Sequence, residues 1–489
     1  MKTNFMTILL SLGIIVNSFA QKIDFSVDLA CDGLVHTNNS TVIDKDGNIF
    51  VAGGTKKGLH VTEDAFQKEF SGHNWIGGGD IFLMKLSPEG ELIYSTYIGG
   101  SKDEYYCNQI AIDNDGNVYV GFTTDSPDLP VSDNAYQKSL NGSEDDHYII
   151  KFSNDCKYIS STYLGGSGSD HWTRLAVNNS ILYLVGCTQS IDFPTTADVI
   201  QEKYNNWIAP DSTLQWMVKD ISITALSLDL DKVLYSTYLG GNNYENVNSF
   251  TFDAKGKIIL AGSTWSDNYP TTKSGYDQSF NGNYDSFLTI TDPNLSAIYY
   301  STFLGGDADD MIQSIAQTAN DNIIIVGNTK SLNFPITSDA LNQEFLGGRT
   351  DGFITELNIN TNKLVYSTFM GGSGGDRINE VNITDKQEIV LVGVTGSKDF
   401  PVTKDALYQS IGGADLVVLK LDKTLKNIEY STYIGGSGHE YFPNAKCFNS
   451  NKLIVACTST SSDFPVTNKY TEKDSTNMNV LLKFDLINK

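Results

Sequence analysis

The chain has 489 residues, is 40% hydrophobic and 11% aromatic, contains 43 Gly, and carries a formal net charge of −24. So acidic a composition lacks the basic face that nucleic-acid phosphates or anionic lipid require, and neither is expected as a partner. A local cationic pocket remains compatible, because the field in a cleft depends on its own lining.

The first twenty residues read as a targeting segment. Lys2 supplies the positive start, Met6–Val16 an apolar core too short to span a bilayer, and Ser18-Phe19-Ala20 a small-x-small cleavage site. A mature chain starting at Gln21, secreted or periplasmic, is expected. No second apolar run has spanning length, so no membrane insertion is expected.

From there the chain repeats. YSTYIGG at 94–100 returns as SSTYLGG at 160–166, YSTYLGG at 235–241, YSTFLGG at 300–306, YSTFMGG at 366–372 and YSTYIGG at 430–436. Between copies lie an IAID-like segment, a DxDGN turn, an apolar strand ending in Gly, a loop with FPxT and A-x-Q, and a D-x-F-L-x-K-L strand. Val, Ile, Tyr, Phe and Thr fill the strands; Gly, Asn and Asp fill the turns. The D-x-F-L strand occurs seven times, starting at Asp80, Asp146, Asp220, Asp285, Asp351, Asp415 and, with Asn, Asn479. The seventh unit has no heptamer after it. Phe25-Ser26-Val27-Asp28 stands 22 residues before Gly47, as Tyr94 stands 22 before Gly116, and is a worn seventh copy. A closed ring explains both facts and removes exposed sheet edges. The expected fold is all-β: a seven-bladed β-propeller of four antiparallel strands per blade, with the N-terminal strand closing the last blade. One domain spans 21–489, with an insertion in blade 3 near 202–219.

The six Cys (31, 107, 156, 187, 447, 457) show no zinc spacing and read mostly as buried apolar residues. The Asp opening each third strand and the acid after each GG (Glu104, Asp170, Glu245, Asp310, Asp376, Glu440) recur in every blade and read as scaffold that caps backbone N–H groups. DxDGN resembles part of a calcium loop but lacks the later bidentate Glu. It reads as a turn, with calcium, if bound, structural; no catalytic metal site is expected.

Residues that differ between blades are better site candidates. Four positions before each IAID-like strand stand Thr37, Tyr106, His171, Asn246, Met311, Arg377 and Tyr441. Two positions before it stand Asn39, Asn108, Thr173, Asn248, Gln313, Asn379 and Pro443. Strand period places both rings on one side, at the mouth of the central channel. A register one residue different in the first blades adds His36 and Tyr105. Arg is scarce, at 174, 349 and 377 only, and Arg174 lies close to His171. Loops on the same face contribute Lys56, Gln189, Trp265, Lys330, His73, Trp75, Trp207 and Trp216, and His147 starts a third strand there.

YSTYLGGSGxD followed by IAxDxxGNxYVxGxTxSxDFP resembles the SBBP family of secreted seven-bladed propeller repeats, over about residues 23–488. The resemblance implies fold and export and no single activity. Trp, Tyr, amides and cations on one face suit an acidic glycan. The first expectation is β-elimination on a uronate sugar, by a lyase or a dehydratase. Arg377 neutralises the carboxylate, His171 removes the C5 proton, and Tyr441 or Tyr106 protonates the leaving oxygen, with His147 and His36 in reserve. Tyr105, Arg174, Asn108, Asn248, Asn379, Trp265 and Lys330 bind substrate. The constellation is similar in type to that of propeller-fold lyases acting on uronate polysaccharides. The other expectation is a monomeric, non-catalytic glycan-binding or surface-interaction propeller. No non-repeating carboxylate pair suits a glycosidase.

Overall fold

The computed structural model describes residues 23–31, 40–72, 79–105, 107, 109–142, 144–205, 218–449, 451–470 and 477–486. The described residues form seven antiparallel sheets, the blades of a β-propeller. In chain order each blade runs from the channel outward. Blade 3, for example, is Asp170–Asn178, Ile181–Thr188, Asp220–Ser227 and Val233–Leu239. Blade 6 is Asp376–Ile383, Ile389–Thr395, Asp415–Leu421 and Ile428–Ile434. The heptamer is the outermost strand, as the repeat count requires.

The ring closes as expected. Ile23–Cys31 pairs antiparallel with Met478–Asp485, with Ser26 opposite Leu482 and Val27 opposite Leu481. It supplies the outer strand that the last blade lacks. A short strand, Asn468–Lys469, pairs with its free edge. The leader, most of the blade 3 insertion, and His36, Thr37, Asn39, His73, Trp75, Tyr106, Asn108, Trp207 and Trp216 lie outside the described residues. Among the described residues no helix is long and apolar enough to cross a membrane.

Second and third strands are buried along their whole length, as Ile49–Thr55 and Asp80–Leu86 show. Neighbouring blades cover both faces, so these strands read as continuous apolar runs. The core is therefore a set of layers between blades, such as Phe122, Tyr148, Tyr163 and Val120 against Ile81 and Leu83. Cys107, Cys156, Cys187 and Cys457 lie buried.

The heptamer and the A-x-Q loop form one hydrogen-bonded unit. Thr162 Oγ1 accepts from the Gln137 N–H at 3.0 Å. Gln137 Nε2 donates to Asp146 Oδ2 at 2.8 Å, and its Oε1 accepts from the Gly165 N–H at 3.1 Å. Gln67 and Gln201 repeat the arrangement. The second Tyr caps the loop after the second strand: Tyr163 Oη accepts from Leu129 N at 3.1 Å and donates to Ser126 O at 2.8 Å. The first Gly of each GG is needed for space. A Cβ at Gly240 would stand 2.6 Å from both Asp220 Oδ1 and Glu245 Oε2.

The DxDGN segments are turns. Asp44 Oδ1 accepts from the N–H groups of Asp46 and Asn48 at 2.9 and 2.8 Å, and Gly47 takes φ +84°. The other Asp44 oxygen accepts from Asn48 and Asn154 amides at 2.8 and 3.1 Å. Both oxygens thus already have donors, and these residues do not fit a calcium ion.

Candidate functional site

The innermost strands enclose a channel of about 420 Å³, lined by residues that include Arg174, Asn248, Gln313, Arg377, Glu380 and Lys446. It opens into a cleft of about 510 Å³ at one mouth, between blades 4, 5, 6 and 7. Met311, Arg377, Asn379 and Phe442 line both. The cleft brings together Arg349, Arg377, Lys330, Tyr284, Tyr441 and Asn379.

Each of these is placed by a strand end. Arg377 is the second residue of the blade 6 inner strand Asp376–Ile383, opposite Val394. A bulge between Ile378 and Glu380 then lets Asn379 face the lumen as well. Tyr441 holds the matching place in the blade 7 strand Glu440–Asn449. Tyr284 and Thr350 each stand immediately before a third strand, and Arg349 before Thr350. Gly347 and Gly348, with φ +140° and +67°, let the Arg349 loop approach the Gly374 backbone, where no Cβ would fit.

Arg349 and Arg377 are solvent-exposed and form no ion pair with a described carboxylate. Lys330 differs: its Nζ lies 2.6 Å from Asp309 Oδ2. Burial raises the Tyr284 phenol above its ordinary value, with Asp309 adding to the rise, so Tyr284 keeps its proton and acts as a donor. Two guanidinium groups without a described carboxylate partner thus stand in a cleft whose lining also includes the buried acids Asp376 and Glu440.

From Tyr284 an aromatic run extends along the mouth toward blade 3. Tyr284 and Trp265 lie 4.4 Å apart, Trp265 and Tyr244 4.7 Å, and Tyr244 and Trp172 5.9 Å between ring centroids. All four are half-buried. Trp172 adopts φ +61°, an uncommon backbone for so large a side chain.

His171 departs from its expected place. It is only 7% exposed and lines neither cavity. Lys219 Nζ, which can only donate, meets His171 Nε2; the ring proton is therefore on Nδ1, facing Ser169 Oγ at 2.9 Å and Asp145 Oδ2 at 3.3 Å. Ser169 Oγ also donates to Asp145 Oδ1. Burial lowers the His171 pKa, and the Lys219 ammonium lowers it further against the pull of Asp145. Burial lowers Lys219 as well, and its ammonium stands 5.3 Å from the Trp172 ring centroid. His171 is thus a held, neutral imidazole between Asp145 and Lys219.

His147 is fully buried. Its Nδ1 lies 2.8 Å from Thr173 Oγ1, its ring packs edge-on to Phe193, and burial lowers its pKa to about 3. It is a core residue. Arg174 lines the channel below the cleft; its Nε donates to Asn248 O at 3.0 Å, Nη1 is buried without a hydrogen-bond partner, and burial pulls its pKa to about 10. Asn248 ties adjacent inner strands, donating to Ile312 O at 2.8 Å. Trp265 sits within the aromatic run. Tyr105 is half-buried, its phenol raised first by burial and then by Asp125 and Asp103.

Arg349, Tyr284, Tyr244 and Trp172 were not singled out by the repeat comparison. One signal for Tyr284 was available. The slot just before each third strand holds Gly79, Asp145, Lys219, Tyr284, Thr350, Ala414 and Met478, and it varies as much as the two mouth rings do.

Among known families, the model of the SBBP β-propeller repeat matches residues 93–130, the outer strand of blade 1 and the start of blade 2. No curated protein matches the sequence significantly. Solved structures resemble the fold at low identity. A protein of unknown function from Dyadobacter fermentans is 12% identical, with TM-score 0.41 over 96% of this chain and all of that one. The polysaccharide lyase Uly1 is 9% identical, with TM-score 0.47 over 96% and 99%. A PL25 ulvan lyase bound to -[GlcA(1-4)Rha3S]- is 10% identical, with TM-score 0.46 over 94% and 95%. At such identities and TM-scores these likenesses assign no activity to this chain.

Proposed function

We propose that the protein is an exported propeller that binds an acidic, uronate-bearing glycan in the mouth cleft. The observation that carries this reading is the convergence of Arg349 and Arg377, both free of carboxylate partners, with Tyr284, Tyr441 and Asn379. A guanidinium pairs bidentately with a sugar carboxylate. The phenols and the Asn379 amide serve hydroxyls, and the aromatic run offers apolar surface to further sugar units. Export rests on the Met6–Val16 core and the Ala20 site, and N-terminal sequencing of the mature chain tests it.

Chemistry on the bound sugar is a second reading, favoured by one observation: Tyr441 lines the same cleft as Arg377. With the carboxylate neutralised by Arg377, C5–H becomes acidic. Tyr441, in its phenolate form, would take that proton, the C4–O bond would break with its electron pair leaving on the oxygen as the C4=C5 bond forms, and Tyr284, which keeps its proton, would supply one to the leaving oxygen. His171 and His147 have no part in this scheme, because both are buried and engaged.

One experiment separates the readings. Uronate polysaccharides and their oligomers are titrated into residues 21–489 by calorimetry, with ultraviolet absorbance followed for a C4=C5 double bond. Binding lost in Arg377→Ala supports the cleft. Absorbance that rises with the native chain and stops in Tyr441→Phe supports elimination. Binding without absorbance leaves a glycan-binding protein, and binding that survives Arg377→Ala and Arg349→Ala together refutes the cleft.

A further inference from the structure

Six blade interfaces bury two facing carboxyl groups each. The Asp opening a third strand meets the acid that opens the next blade: Asp80 with Glu104, Asp146 with Asp170, Asp220 with Glu245. Asp285 with Asp310, Asp351 with Asp376, and Asp415 with Glu440 complete the set. All twelve are buried.

Most of their oxygens already have donors. Asp146 Oδ2 accepts from Gln137 Nε2 at 2.8 Å and Asn141 N at 2.9 Å; Asp170 Oδ2 accepts from Gly166 N at 2.7 Å and Ser190 Oγ at 2.8 Å. What remains is Asp146 Oδ1, buried with no hydrogen-bond partner, and it crowds Asp170 Oδ2 at one point above Gly165. The same remainder occurs at Glu104 Oε2, Asp220 Oδ1, Asp351 Oδ1 and Glu440 Oε2. Those of Asp146, Glu104, Asp220 and Glu440 lie toward the partner acid. Asp220 Oδ1 and Glu245 Oε2 are each 2.6 Å from one point above Gly240, and Glu440 Oε2 and Asp415 Oδ1 are 2.5 and 2.9 Å from one point above Gly435.

Two bare carboxylates in a dry site repel, and each unserved oxygen costs desolvation energy. A calcium ion wants about 6–8 oxygen ligands and magnesium an octahedron of them. One or two oxygens per site are too few for either, and among the described residues no group of three or more acidic, imidazole or thiol side chains is arranged to hold a metal ion. They suit one hydrogen between two acids. The seventh third strand agrees: it carries Asn479, a neutral side chain with its own N–H donors, in the place of the Asp.

We infer that each of the six acid pairs shares one proton at neutral pH, so that the ring of blade interfaces is a proton store whose emptying loosens the propeller.

Burial is the main cause that raises these acids, to about 6 for Asp80 and Asp310, about 7 for Asp146, Asp220 and Glu440, and about 8 for Glu245. The charges facing them from neighbouring elements are mostly acidic and act in the same sense: Asp103 on Asp80, Asp145 and Asp192 on Asp146, Asp277 on Asp285, Asp309 on Asp310 and Asp399 on Asp376. His439 faces Asp415 and acts the other way. The unfolded acids titrate near about 4. Between about pH 4 and 8 the native state therefore holds more protons than the unfolded one, and stability falls as pH rises. The buried neutral His147 and His171 slope oppositely below about pH 6.5, but they are two groups against six pairs. Acids held low by donors, such as Asp192, destabilise the fold only below about pH 4.

The test is a count of protons. Calorimetric unfolding of residues 21–489 at pH 7, in two buffers of different ionisation enthalpy, is expected to show protons released on unfolding, up to a limit of six. The melting temperature is expected to fall steadily from pH 5 to 9. Infrared spectra are expected to show a protonated-carboxyl C=O band at pH 7 that is gone at strongly alkaline pH. Asp146→Asn keeps an N–H for Asp170 and is expected to remove one proton from the count; should it not fold, the native-chain count and band decide alone. No proton release with no such band overturns the inference. So does a melting temperature that drops with chelator and recovers with calcium, which would put a cation where the proton is placed.

Discussion

His171 and Arg377 occupy the same slot in blades 3 and 6, each directly after the buried acid that opens an inner strand. One ends buried between Asp145 and Lys219; the other stands exposed in a cleft. Two local differences separate them. The residues before the flanking third strands are Asp145 and Lys219 around His171 but Thr350 and Ala414 around Arg377. Charged neighbours close over the imidazole, while small ones leave the guanidinium open. The bulge also falls differently. In blade 3 the extra residue lies between His171 and Arg174, with Trp172 in a left-handed conformation; in blade 6 it lies between Ile378 and Glu380. An early bulge sends Trp172, not His171, to the mouth. Blade 7 shares the early type, with Phe442 at φ +51°. Position in a repeat therefore specifies a place on the scaffold and leaves exposure to the neighbours.

The largest expected effect breaks the blade 3 side. His171→Ala leaves half-buried Asp145 and buried Lys219 with their bridge gone, and a loss of about 3 kcal/mol in urea unfolding is expected, with glycan affinity unchanged. Unchanged stability with lost binding would return the imidazole to the ligand. Arg377→Ala should do the reverse: affinity for an acidic oligosaccharide falls by about 2 kcal/mol, roughly thirtyfold, while the melting temperature holds. Thr350→Asp carries the blade 3 arrangement into blade 6. An acid beside Arg377 should capture it and cost roughly tenfold in affinity, more at low salt than at high. Lys330→Ala should matter least, about threefold at most, because Asp309 already neutralises it. A larger loss would mean that the ligand displaces Asp309.

The acid pairs set a separate contrast between Gly240 and the turn glycines. Gly240→Ala forces a methyl between Asp220 and Glu245, and about 1–3 kcal/mol of destabilisation is expected. Equal stability would show that the two carboxyls can part cheaply.

The seven-fold count, the closing N-terminal strand and the outer place of the heptamer were legible in the sequence, because each follows from local patterning and edge pairing repeated many times. So was part of the site: Arg377, Asn379, Tyr441 and Lys330 do meet in one cleft. The tertiary structure decided the rest. Period-two counting cannot see a bulge, and one extra residue redirects the side chains around it. Burial of His171 and His147 depends on Asp145, Lys219, Thr173 and Phe193, which reach them from neighbouring strands and loops. The recurring acids were visible as scaffold, but only packing shows that they meet in pairs, because each pair joins two blades that the sequence presents one after the other.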